Sequence, residues 1–128
     1  GGGWIGGRKD EQALPLMYQL AANGWVCVSA DYRLSPHATF PDHLVDMKKA
    51  LRWIKEHVAE HGGDPDFVVV TGGSAGGHLA SLVALPQNDA ARTPAYAAVS
   101  PSTASTTSWT AAAPGSTPGF GASWSARC

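Results

Sequence analysis

The feature that most constrains what this chain can fold into is the passage from an apolar run, Phe67-Val68-Val69-Val70-Thr71, straight into six small residues, Gly72-Gly73-Ser74-Ala75-Gly76-Gly77. A short run rich in β-branched side chains and bounded by turn residues predicts a buried strand. The segment from His78 to Leu85 predicts a helix. A strand and a helix joined by so few residues must meet at a sharp turn, which pushes one side chain out at the carboxyl end of the sheet. That side chain is Ser74. Small neighbours are needed because a Cβ would clash where strand and helix approach, and glycine tolerates the unusual dihedrals of such a turn. The helix that starts here leaves backbone N–H groups free at its N-terminus. An oxyanion formed on a group attacked by Ser74 therefore finds a donor in the Ala75 N–H. The string G-x-S-x-G, from Gly72 to Gly76, takes its meaning from this strand-turn-helix context.

The preceding residues alternate in the same way. Asp10 is expected to cap a helix through Leu14, Met17, Leu20 and Ala21, with Gly24 at its C-terminal end. The run Trp25-Val26-Cys27-Val28-Ser29-Ala30 predicts a buried strand in which Cys27 is a small core residue. From Asp42, the residues Leu44, Met47, Leu51, Ile54 and Val58 step by three and four, which predicts an amphipathic helix ended by Gly62-Gly63. Its polar side, with Lys48, Lys49, Arg52 and Lys55 interleaved with Asp46 and Glu56, is expected to be solvated. Helices alternating with strands predict the α/β class, with a parallel sheet covered by helices on both faces.

The pattern breaks near Pro86. Beyond it Val99 is the sole large aliphatic residue among Ala, Ser, Thr, Pro and Gly. So little apolar surface cannot offset the entropy of ordering the chain. Residues 1–89 are accordingly expected to form the domain, and 90–128 a low-complexity tail, either disordered or an out-of-frame translation. Nine basic and ten acidic residues in 128 give a net charge of -1, which excludes a charge-driven binder of nucleic acid. No apolar stretch is long enough to span a bilayer. Cys27 and Cys128 are too few for a disulfide framework and too far apart for a redox or zinc pair, which leaves the compartment open; the cytoplasm is taken as default because the N-terminus reads as truncated. The opening Gly1-Gly2-Gly3, without an initiator Met, reads as a cut end.

Four blocks of the sequence resemble the hormone-sensitive-lipase-like branch of the α/β-hydrolases. Gly1-Gly2-Gly3-Trp4 resembles an HGGGW loop without its His. Asp31-Tyr32-Arg33-Leu34-Ser35-Pro36 followed by Phe40-Pro41 resembles the DYRLxP and FP segment, and Gly63-Asp64-Pro65 and Gly72 to Gly77 resemble the GGDP and GxSAGG blocks. They stand in the family's order between Gly1 and about Asp89. The resemblance implies a partial α/β-hydrolase fold, with Ser74 as nucleophile, an oxyanion hole from the N–H groups of Gly2, Gly3 and Ala75, and an elbow framed by Gly72 and Gly76. It implies hydrolysis of a small-molecule carboxylic ester through an acyl-Ser74 intermediate, with no metal or organic cofactor. Gly73 stands where many members carry Asp. The family's acid and His follow the Ser, whereas here the later residues of those types are Asp89 and His78, and a His four places along the same helix is expected to be structural. The triad is therefore not visible, and the chain by itself is expected to have little turnover.

Other motifs carry less. His57-Val58-Ala59-Glu60-His61 matches H-x-x-E-H, but it sits at a helix end, where His side chains meet the negative pole, and no later Glu supplies a third ligand. Thr71 to Gly76 is similar to the TGxxxGxG turn of short-chain dehydrogenases, but His78 replaces the final Gly. A Walker A loop lacks its Gly-Lys-Ser/Thr. Trp4 is suited either to wall an acyl pocket or simply to pack. An amidase or peptidase on the same fold and a non-catalytic binding domain are the alternatives. Oligomeric state is left open.

Overall fold

A computed structural model of the chain describes residues 1–85 and the backbone of 101–102, 107–112 and 123–126. Helix α1 (Leu14–Ala22) leads to strand β1 (Trp25–Ala30). Helix α2 (Asp42–His57) precedes β2 (Val68–Gly73), and α3 (Ala75–Ala84) follows it without a gap longer than one residue. Three further strands, β3 (Pro101–Ser102), β4 (Thr107–Ala112) and β5 (Ser123–Ala126), complete one sheet in the order β3-β2-β4-β1-β5.

The two-residue period of β1 decides how the layers stack. Val26, Val28 and Ala30 face α2 and α3, where they share a core with Leu44, Met47, Leu51, Ile54, Leu79 and Val83. Cys27 points the other way, fully buried against Ala13, Met17 and Ala21 of the α1 side. Helices thus cover both faces, as the alternation of elements predicts. All five aliphatic residues read as the buried stripe of α2 are buried, although Val58 lies in the 3-10 turn that extends the helix. Gly62, at φ 81°, ends that turn in the left-handed conformation that suits glycine.

Four expectations are corrected. The α1 cap is Ala13, not Asp10. The Asp10 carboxylate instead accepts two bonds from the Arg8 guanidinium, at 3.0 and 2.9 Å, and Pro15 marks the first turn, where its missing N–H costs nothing. Asp46 is not on a solvated face: at 8% exposure it is buried under the side chain of Arg33.

The sheet is mixed rather than parallel. β4 runs antiparallel to both β1 and β2, pairing Trp109 with Val28 on one side and with Val70 on the other. β1 and β2 therefore point the same way without touching. The segments 101–102, 107–112 and 123–126, expected to be unstructured, are strands of this sheet. A ladder needs backbone donors and acceptors, which Ser, Thr and Ala supply as well as Val does. The rest of the range 90–128, including Asp89's downstream neighbours up to Ser100, lies outside the described residues.

Candidate active site

The apolar β2 run carries the chain to Ser74 at the carboxyl end of the strand, and α3 leaves from the next residue. Ser74 adopts φ 51°, ψ -124°, a conformation that L-residues rarely take, and its side chain is exposed. Such strain persists where the surroundings over-determine it. A Cβ on Gly72 would stand 2.5 Å from the carbonyl carbon and oxygen of Gly76 and 2.8 Å from the Gly77 nitrogen. Strand and helix therefore close on each other only because Gly72 has no side chain. This is the contact that the G-x-S-x-G spacing predicts.

Beside α3 lies a tight 3-10 turn, Gly2–Trp4. Gly2, Gly3 and Trp4 all have positive φ, at 74°, 59° and 63°, so the turn is left-handed, a conformation that favours the glycines at two of its three positions. The Gly2 carbonyl accepts from the N–H groups of Ile5 and Gly6, both at 3.1 Å.

The residues after β1 hold this turn from below. The Ser35 N–H donates to the Trp4 carbonyl at 2.8 Å, and the Tyr32 hydroxyl donates to the Gly1 carbonyl at 3.4 Å. Burial raises the Tyr32 phenol above its ordinary pKa, so it stays a donor. Its ring stands edge to face on His43, with centroids 5.7 Å apart. Arg33 anchors the same segment to α2: its Nε and Nη2 donate to the two oxygens of Asp46 at 2.8 and 2.9 Å, and its backbone N–H to Asp46 Oδ2 at 3.1 Å. These bonds hold the Asp46 carboxyl below its ordinary pKa. Sequence reasoning found the block Asp31 to Pro36 but not this supporting role, because the partners are 13 and 31 residues away in the chain.

Trp4 packs on the core and meets His78, the rings perpendicular with centroids 5.5 Å apart. His78 itself lies exposed on the first turns of α3, its backbone N–H bonded to the Ser74 carbonyl at 3.0 Å. His57 stacks on Trp53 at 4.5 Å and its Nδ1 lies 2.8 Å from the Trp53 carbonyl, so the H-x-x-E-H string is occupied with its own helix end. Among the described residues no three His, Cys, Asp or Glu side chains gather where they could hold a metal ion, and no helix is long and apolar enough to cross a membrane.

Comparison with known proteins bears on the site as a whole. The family model BD-FAE matches residues 1–111, past the boundary at residue 89 suggested by composition. The chain is 60% identical to the "Probable carboxylic ester hydrolase LipM" of Mycobacterium tuberculosis over 70% of its own length and 21% of that protein's. It is 51% identical to the esterase LipQ of the same organism, over 75% of this chain and 23% of the relative, and 40% identical to the carboxylesterase NlhH, over 66% and 26%. The chain thus spans between about a fifth and a quarter of the length of these relatives. No solved structure matches it.

Proposed function

Because the chain belongs to the BD-FAE family, within the hormone-sensitive-lipase-like branch of the α/β-hydrolases, we propose that the polypeptide carrying it hydrolyses carboxylic esters with Ser74 as nucleophile. The observation that carries this reading is the backbone of Ser74, strained at φ 51° on a turn that only a glycine at position 72 permits, with the Ala75 N–H beside it. Ester rather than amide chemistry is supported by the names of the relatives.

In this reading the Ser74 Oγ attacks the ester carbonyl carbon and its proton passes to a general base. The carbonyl oxygen becomes an oxyanion held by the N–H groups of Ala75, Gly2 and Gly3. Collapse expels the alcohol, leaving an acyl-Ser74 ester that water hydrolyses. His78 is the sole imidazole after Ser74 in this sequence, and its ring is engaged with Trp4, so the base is assigned to a residue outside these 128. The substrate is a small-molecule ester.

The test is made in the complete polypeptide. Ser74→Ala is expected to abolish hydrolysis of a short-chain aryl ester and labelling by a serine-directed phosphonate, with the fold retained by circular dichroism. Undiminished turnover in Ser74→Ala would refute the assignment.

A further inference from the structure

The donors of the site belong to two elements far apart in sequence. The Ala75 N–H rides on α3, and those of Gly2 and Gly3 ride on the left-handed turn. A hole built from both works only if their separation is fixed, since reacting groups displaced by about 1 Å lose much of their effect. The bonds from Ser35 and Tyr32 tie the turn to the segment after β1 and say nothing about its distance from α3. Trp4 joins the turn to α3 twice over, by packing on the core that includes Leu79 and Val83 and by the perpendicular ring pair with His78, at 5.5 Å.

Each partner is held where the pair needs it. Trp4 keeps a positive φ of 63°, uncommon for a bulky residue, and its indole packs on the core and meets the His78 ring. His78 lies in the first turn of α3, and its backbone N–H bonds the Ser74 carbonyl at 3.0 Å, so the residue that bears the ring is tied directly to the elbow. Its exposed position gives it no burial reason to be aromatic, and the role that accounts for its ring is contact with Trp4.

We propose that His78 is a positioning residue for the oxyanion hole: its ring, edge to face with Trp4, fixes the distance of the Gly2 and Gly3 donors from Ser74. This rests on the reading of Ser74 as nucleophile. The role needs an aromatic ring and no proton, which separates it from a role as general base.

The test compares His78→Ala and His78→Phe in the complete polypeptide, reading kcat and KM on an aryl ester and the affinity of an aryl trifluoromethyl ketone, whose adduct with the serine carries an oxyanion. His78→Ala is expected to lower kcat and ketone affinity about 10- to 100-fold with KM nearly unchanged, and His78→Phe to restore both to within about threefold. Trp4→Leu removes the same contact from the other side and should give the same loss, with no further loss in the double variant. Should His78→Ala fail to fold, Trp4→Leu and His78→Phe still decide the matter. Unchanged kcat and ketone affinity in His78→Ala or Trp4→Leu would overturn the proposal. A His78→Phe variant as inactive as Ser74→Ala would also overturn it, because the proton would then be what matters. If Ser74→Ala itself retains turnover, the underlying reading fails instead, whatever His78 does.

Discussion

At the scale of single residues, the elbow sets two adjacent demands that pull stability in opposite directions. Ser74 occupies a backbone conformation that costs an L-residue on the order of 1 kcal/mol or more. Ser74→Gly should therefore raise the melting temperature, by the equivalent of about 1 kcal/mol, while removing the hydroxyl that the proposed chemistry needs. Gly72→Ala should do the reverse and destabilise by about 1–3 kcal/mol, since its Cβ would lie 2.5 Å from backbone atoms that cannot swing away. Thermal melts of the two variants beside the parent check both signs; a stabilised Gly72→Ala would mean that strand and helix do not close as described. The identity of both residues was legible in the sequence, because their requirement is local. The tie between Trp4 and His78 was not, because 74 positions separate the two and no spacing rule connects them.

At the scale of elements, α2 shows how far periodicity carries. Apolar residues spaced three and four apart mark the buried stripe correctly, and they do so because a helix has one period throughout. The polar remainder is less uniform than the pattern suggests. Asp46 sits in that remainder and is buried, its two oxygens filled by Arg33 from the segment that supports the glycine turn. The folded protein holds this carboxyl below its unfolded pKa, so the pair's contribution to stability is present above the unfolded value and is lost as pH falls through the folded one. Melting Asp46→Asn beside the parent should accordingly show a Tm deficit that is largest above about pH 5 and shrinks below about pH 4. A deficit that stayed constant across this range would show that the charge of Asp46 contributes nothing.

At the scale of the whole molecule, the centre of the sheet is occupied by residues that composition would assign to its outside. β4 lies between β1 and β2 and pairs with both, so its amide groups are covered on two sides. Hydrogen exchange across Thr107–Ala112 should then be slowed to a degree comparable with β1. Removing everything after residue 89 should expose the inner edges of β1 and β2 together and drive association, visible by size exclusion. Rapid exchange throughout Thr107–Ala112, with a monomeric truncated chain, would exclude β4 from the sheet.

The amino-acid sequence by itself determined the helices and the two apolar strands of the first 85 residues, the faces they bury, and the turn that presents Ser74. Each of these follows from spacing within one element or from the steric needs of one turn, and both are local. Only the tertiary structure decided that β4 separates β1 from β2, that Asp46 is buried beneath Arg33, and that Trp4 rests on His78. Those outcomes depend on which surfaces and unpaired backbone groups meet once the elements collapse together, and a periodic pattern within a single segment contains no term for its eventual neighbour.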